Sequence, residues 1–278
     1  MKTRKELLDE ATKHLSTQRP NDARLSAELL LAYVLHSDRT ALIRESQETV
    51  SADDRAKFEK LVQKRGEGEP IAYLVGEKEF FSLPFYVDRA VLIPRPETEM
   101  LVEAVLEKLT PRAAGRFVDV GTGSGAIAIT IKKHLPNWEI FGSDVQEESL
   151  AVARKNALRH GVEVHWRQSD LLKDVEGMFD AVAANLPYIP TKDVPHLAIG
   201  VRYEPWCALD GGVDGLRLID RAVRELRPRL LRGGWLFLET GNAQEDEVRN
   251  LLQTAGYTVE SIRNDYQGIP RVVVARWD

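Results

Sequence analysis

From Arg116 to the C-terminal end, short runs rich in β-forming residues alternate with stretches of helical periodicity. This alternation limits the possible folds more than any other feature of the chain. The runs are Phe117–Val120, Glu139–Ser143, Val162–Trp166, Phe179–Ala184, Trp235–Glu239, Tyr257–Ile262 and Arg271–Ala275. Strands separated by helices imply an α/β fold with a doubly wound, mostly parallel seven-stranded sheet and right-handed crossovers. The last two runs are joined with no room for a full helix, which predicts an antiparallel pair at the sheet edge. The preceding chain follows other rules. From Lys5 to about Gly66 apolar residues recur at helical spacing, as in Leu7, Leu8, Ala11 and Leu15, then Leu25, Leu29, Leu30 and Val34. Ser51 can cap a helix expected to run to Arg65 and stop at Gly66. Between Gly76 and Ile93 the period changes to two, which predicts a β-hairpin. A helix then runs from Pro96 to about Leu109, proline suiting a first turn. The 278 residues thus divide into a small helical domain at 1–75, a β-hairpin linker at 76–93 and an α/β domain at 94–278.

Charge and cysteine usage narrow the function classes. The 38 Lys and Arg against 43 Asp and Glu leave a net charge of -5, without the basic excess of a constitutive nucleic-acid binder. Residues 1–75 hold 13 of each sign, so the helical domain is neutral; no stable nucleic-acid binding is expected. One cysteine, Cys207, makes no intramolecular disulfide, and the six histidines show no metal-ligand spacing, so no metal is expected. The apolar run Leu29–Leu35 has 7 residues, far short of the roughly 20 of a membrane-spanning helix. MKTRKELLDE lacks the pattern of a signal peptide. A reducing, cytoplasmic setting with no membrane association is the expectation.

Phe117-Val-Asp-Val-Gly121-Thr122-Gly123-Ser124-Gly125-Ala-Ile reads as strand, glycine-rich turn, helix. Glycines let a backbone approach a ligand closely, so Gly121 through Gly125 are candidates to hold a nucleotide-like cofactor. A tight turn that merely packs helix on strand is the alternative. Asp144, 23 residues after Gly121, closes the next predicted strand, where a carboxylate can accept both hydroxyl hydrogens of a ribose. Dinucleotides and S-adenosyl-L-methionine use the same geometry. The third glycine comes one position earlier than in the dinucleotide pattern G-x-G-x-x-G.

The run Phe179–Ala184 ends abruptly in Asn185-Leu186-Pro187-Tyr188. Ligands of open α/β sheets lie beyond the carboxyl ends of the strands, so this turn should face the glycine loop. Asn185 offers a side-chain acceptor. Leu186 offers a backbone carbonyl that cannot join a helix, because proline follows. Together they suit the two hydrogens of a planar NH₂ group, with Tyr188 packed over it.

Asp119-Val-Gly-Thr-Gly-Ser-Gly resembles the first motif of class I, Rossmann-like methyltransferases, and Asn185-Leu-Pro-Tyr is similar to the (Asn/Asp)-Pro-Pro-(Tyr/Phe) signature of enzymes that methylate amino or amide nitrogen. Four further blocks extend the likeness over nearly the whole chain: Gly68-Glu-Pro-Ile-Ala-Tyr-Leu-Val-Gly76, Phe80-Phe-Ser-Leu-Pro-Phe-Tyr-Val, Leu92-Ile-Pro-Arg-Pro-Glu-Thr-Glu99 and Arg202-Tyr-Glu-Pro-Trp-Cys-Ala-Leu. With them the chain resembles the protein-(glutamine-N5) methyltransferases of peptide chain release factors. The resemblance implies transfer of a methyl group from S-adenosyl-L-methionine to the glutamine of a release factor's Gly-Gly-Gln motif. It further implies that Gly121, Thr122, Gly123, Ser124, Gly125 and Asp144 hold the cofactor, with Leu171 beside the adenine. Asn185 would touch cofactor and substrate, and Leu186, Pro187 and Tyr188 the glutamine amide. Glu97 and Thr98 would border the methionine end, Asp119 would sit near the methionine amino group or else serve as a structural strand end, and Arg202–Pro205 would shape the substrate groove. Leu186 stands where the signature has its first proline. The alternatives are an adenine-N6 methyltransferase acting on RNA or DNA, a nicotinamide-dependent dehydrogenase and a non-enzymatic nucleotide-sensing module.

Overall fold

The computed structural model describes residues 2–18 and 21–278 and divides into two compact units. The smaller comprises the chain up to Glu77 together with Ala198–Tyr203; the larger is Lys78–Leu197 with Glu204–Asp278. The boundary thus gives the hairpin to the larger unit, and the smaller one gains a second piece that its sequence position does not announce.

In the smaller unit, α1 (Arg4–Ser16) opens with a capping box between Thr3 and Glu6, and α2 (Ala23–Val34) follows. After α3 (Arg39–Arg44), capped by Asp38, Ser51 caps α4 (Ala52–Glu67), its hydroxyl accepting from Asp54 N over 3.1 Å. The α4 helix passes through Gly66 and ends at Gly68, which takes the left-handed conformation at φ 113°. It therefore runs two residues beyond its predicted end at Arg65. A short α5 (Ile71–Val75) completes the set. Leu7, Leu8, Leu30, Leu31 and Phe58 form its core. The buried Arg65 guanidinium donates to Ser26 Oγ and the Glu69 carbonyl, and pairs with Asp22. Asp22 stands at the head of α2 and makes no side-chain cap there. The Tyr203 hydroxyl donates to the Glu67 carbonyl over 3.4 Å.

The larger unit begins one residue into β1 (Glu77–Phe80), which is followed by β2 (Leu83–Tyr86). Phe81 and Ser82 between them take φ 51° and 59°, the all-positive pattern of a two-residue I′ turn, here made without glycine. The α6 helix (Pro96–Leu109) has proline in its first turn, and then the strand–helix alternation begins. In chain order follow β3 (Arg116–Val120), α7 (Ala126–His134), β4 (Glu139–Asp144), α8 (Glu147–His160), β5 (His165–Gln168) and β6 (Phe179–Ala184). A two-stranded parallel pair of β7 (Ile189–Pro190) and β8 (Asp210–Gly212) leads to α9 (Arg217–Leu226), β9 (Leu230–Glu239), α10 (Glu245–Thr254), β10 (Thr258–Asn264) and β11 (Pro270–Trp277).

The seven-stranded sheet has the order β10-β11-β9-β6-β3-β4-β5, parallel except where β11 runs against both its neighbours. Alternate residues feed opposite faces: Phe117, Ala181, Ala183 and Phe237 join one apolar cluster, while Val118, Val120, Val182 and Leu236 join the other. The order in which strands are added reverses at β3, with β4 and β5 on one side and β6 and β9 on the other, and β3 and β6 pair in parallel at the centre of the sheet. The third predicted strand is displaced. Gly161 ends α8 with its following residue Val162 still bonded back to Ala157 O over 3.1 Å, so pairing begins only at His165. No helix of the described residues is long and apolar enough to cross a membrane.

Candidate active site

A cleft of about 1050 Å³, counting its open mouth, lies past the carboxyl ends of β3, β4 and β6. This is the switch point of the sheet, where open α/β folds bind ligands. The glycine loop supplies one wall. Gly121, Gly123 and Gly125 have φ of 73°, 53° and 81°, a left-handed sequence that residues with side chains rarely adopt. A methyl group added at Gly123 would meet nothing within 4 Å. That backbone is therefore bare toward open space, leaving room for a ligand to lie against it.

Asp144, at the end of β4, secures the loop from the side. Its Oδ2 accepts from Gly123 N and its Oδ1 from Gln146 N, both over 2.9 Å. Burial pushes its carboxyl up, and these backbone N–H groups hold it back toward the ionised form. Each oxygen retains a lone pair for a hydroxyl group. Leu171 lines the same cleft at φ 54°, a left-handed backbone that is strained for a leucine. It is buried, as is Ser169, which anchors the turn by donating its N–H to Asp144 O.

Opposite the loop stand Asn185, Leu186 and Pro187. A methyl added at Gly121 would come within 3.2 Å of Leu186 Cδ2, so loop and tetrapeptide are in close approach. The Asn185 carboxamide is oriented: its Nδ2 donates to Thr98 Oγ1 over 3.1 Å. Tyr188 is set back from the cleft. Its ring packs with the second apolar cluster and its hydroxyl lies 3.5 Å from Glu239 Oε1. Burial, and next the charge of Glu239, push that phenol up. That contact with Glu239 ties the end of the tetrapeptide to β9.

Several residues that support the site carry no local signal in the sequence. Gln244 receives the Gly241 N–H on Oε1 and donates from Nε2 to the Tyr188 carbonyl over 3.0 Å. A methyl at Gly215 would run into that same carbonyl, so Asp210–Gly215 lies directly against the tetrapeptide. The fully buried Asn156 accepts from Tyr86 N over 2.7 Å and donates to Tyr86 O and Ser124 O over 2.9 Å each, tying β2 to the glycine loop.

Asp119 is wholly buried and is absent from the cleft lining. Its Oδ2 accepts from the Thr122 hydroxyl over 2.5 Å and from Ala128 N over 3.3 Å. The strand-end role is the one realised, a brace between β3 and the start of α7. Glu204 is also internal: it accepts from Ile93 N over 3.1 Å and pairs with Arg95. Cys207 reaches the cleft with its thiol pushed up by burial and by Asp144, a protonated neighbour and no thiolate nucleophile.

Two family models match the chain, "PrmC N-terminal domain" over residues 6–76 and "Methyltransferase small domain" over residues 97–199. A release factor glutamine methyltransferase of Koribacter versatilis is 39% identical over 277 residues, covering 99% of this chain and 98% of that one. One from Moorella thermoacetica is 40% identical over 281 residues, covering 98% of each chain. The chain belongs to the release factor glutamine methyltransferase family. The glycine loop, Asp144, Leu171 and Asn185–Tyr188 all fall within the matched methyltransferase segment.

Solved structures agree on the fold of this family member. A methyltransferase from Pyrococcus furiosus superposes with a TM-score of 0.54 at 19% identity, covering 81% of this chain and 98% of that one. The 16S rRNA N2 G1207 methyltransferase of T. thermophilus, solved with AdoMet and guanosine, gives 0.54 at 17% identity over 73% of this chain and 50% of that one.

Proposed function

We propose that this protein transfers the methyl group of S-adenosyl-L-methionine to the side-chain amide nitrogen of the Gly-Gly-Gln glutamine of peptide chain release factors. One observation carries the reading: a single cleft is lined by the bare glycine backbone with Asp144 on one side and by Asn185-Leu186-Pro187 on the other. The residues suit this cofactor. The exposed backbone at Gly123 leaves room for a close-lying ligand, the Asp144 oxygens can accept ribose hydroxyls, and the buried Leu171 gives an apolar surface for an adenine.

When bound, S-adenosyl-L-methionine supplies an electrophilic methyl group on a sulfonium. The protein's part is alignment. An amide nitrogen is a weak nucleophile because its lone pair is delocalised into the carbonyl, and neither the glycine loop nor the tetrapeptide holds a Lys, Cys or His. Asn185 Oδ1 and the Leu186 carbonyl accept the two N–H bonds of the glutamine amide and aim its nitrogen at the methyl carbon, catalysis by orientation. The new N–C bond replaces one N–H bond, whose proton leaves as the sulfonium becomes a neutral thioether. Exchange of the signature's first proline for Leu186 keeps the carbonyl that this role needs.

The test is to incubate the protein with methyl-labelled S-adenosyl-L-methionine and, in separate reactions, purified release factor, ribosomal RNA and DNA, then locate the label by mass spectrometry. N5-methylglutamine in the Gly-Gly-Gln motif is the expected product. Label confined to adenine in either nucleic acid would overturn the assignment.

A further inference from the structure

We propose that Arg95 binds the carboxylate of the methionine tail of S-adenosyl-L-methionine. The inference rests on the cofactor proposed above and assigns the residue that holds its single anionic group. A carboxylate taken out of water needs a partner of opposite charge, because its desolvation is otherwise uncompensated. Among the described residues that line the cleft, Arg95 is the one cation; the other charged side chains are Asp144 and Asp170. Both acids repel a carboxylate, and both stand at the end that the proposed function gives to the adenosine.

The place of Arg95 fits the opposite end. It immediately precedes α6, and its carbonyl accepts from Thr98 N over 3.1 Å in the first turn of that helix. The Thr98 hydroxyl in turn accepts from Asn185 Nδ2 over 3.1 Å. Arg95 therefore stands within one helical turn, about 5.4 Å of rise, of the residue that holds Asn185. The proposed function sets the sulfonium beside Asn185, and in methionine only a short carbon chain separates the sulfur from the carboxylate.

The guanidinium is anchored without being used up. Glu204, whose side chain is 1% exposed, pairs with Arg95 Nη2 and accepts from Ile93 N over 3.1 Å. Burial pushes the Glu204 carboxyl up, and the charge of Arg95 pulls it back toward the ionised form. Arg95 keeps 31% of its side chain exposed, and among the described residues its Nε and Nη1 make no hydrogen bond. A guanidinium carries five N–H donors in a planar fork. With one of them on Glu204, the fork still offers a pair of parallel N–H bonds to a second carboxylate.

The experiment compares, by calorimetry, the dissociation constants of S-adenosyl-L-methionine and of its decarboxylated analogue on the intact chain. The proteins are the wild type, Arg95→Met, and Arg95→Met combined with Glu204→Gln, which leaves no unpaired buried carboxylate. The wild type should bind the methyl donor about tenfold or more tightly than the analogue. Both variants should lose about tenfold or more in affinity for the methyl donor and bind the analogue as well as before or better, so the preference disappears. A purely structural Arg95 would instead weaken both ligands in parallel. The assignment is overturned if the wild type shows no preference for the carboxylate, or if the variants lose both ligands alike. Should Arg95→Met not fold, the double variant decides together with the wild-type preference. A wild type that binds neither ligand would sink the proposed cofactor itself, and this role with it.

Discussion

Two residues of the cleft make separable predictions, since the proposed function sets Asn185 against the substrate amide and Gly123 against the cofactor. Asn185→Ala removes an acceptor from the proposed substrate amide and leaves a buried donor unpaired, a cost of about 1–3 kcal/mol in the transition state before any loss of alignment. Methyl transfer should fall about tenfold or more in single-turnover assays, with cofactor affinity much less affected. Gly123→Ala should do the reverse. The new methyl enters free space but at φ 53°, so calorimetric unfolding should register a loss of about 1 kcal/mol from the left-handed backbone. Cofactor affinity should drop about tenfold or more, because the methyl would occupy the surface that the proposed function gives to the cofactor. Both residues are identifiable from the sequence because the glycine run and the tetrapeptide are local patterns. The hold of Thr98 on Asn185 has no such pattern. Thr98 lies 87 residues before Asn185, and only the tertiary fold brings the two together.

Among the elements, periodicity locates most strands and helices, and local backbone chemistry decides where they stop. The β6 bounds Phe179–Ala184 match the apolar run because the strand is paired on both sides and all of its residues except Asp180 are buried. At β5 an edge strand pairs only with β4, so the run Val162–Val164 is claimed by the end of α8 and not by the sheet. At α4 two glycines compete, and the helix ends at Gly68, the one in the left-handed region. The hairpin turn hides for the opposite reason, since Phe81 and Ser82 adopt positive φ without the usual glycine or asparagine. Asn156 on α8 links three elements by its side chain. Asn156→Ala strips Tyr86 N, Tyr86 O and Ser124 O of their partner, which should cost at least about 1–3 kcal/mol. Thermal denaturation should register it as a lower Tm, and hydrogen exchange at Tyr86 N should quicken.

At the scale of the whole molecule, buried carboxyls give the stability a pH dependence of unusual sign. Burial pushes Asp119 from 3.8 up to about 7, with the Thr122 hydroxyl and Ala128 N–H only partly offsetting it. Its folded form thus binds more protons than its unfolded form between those values. The stability it contributes is full below about pH 4, declines as pH rises to about 7 and stays low above. Asp265, held down by Arg271, works in the other direction and loses its contribution as pH falls. The clean measure is therefore a difference. Asp119→Asn keeps the acceptor for Thr122 and Ala128 and cannot ionise, so its Tm relative to wild type should rise from pH 5 to about pH 7 and level off above. A gap that stays constant would contradict the ionisation of Asp119. The sequence by itself determined the strand–helix alternation, the parallel sheet with its antiparallel edge, the glycine loop and the tetrapeptide, because these follow from periodicity and short-range backbone chemistry. Tertiary structure alone decided that Asp119 is a brace and that the Tyr188 hydroxyl meets Glu239. It also decided that Ala198–Tyr203 belongs with the helical unit and that Asn185 is held by Thr98. Each of these depends on which residues far apart in the chain become neighbours, and burial and hydrogen-bond direction exist only once they do.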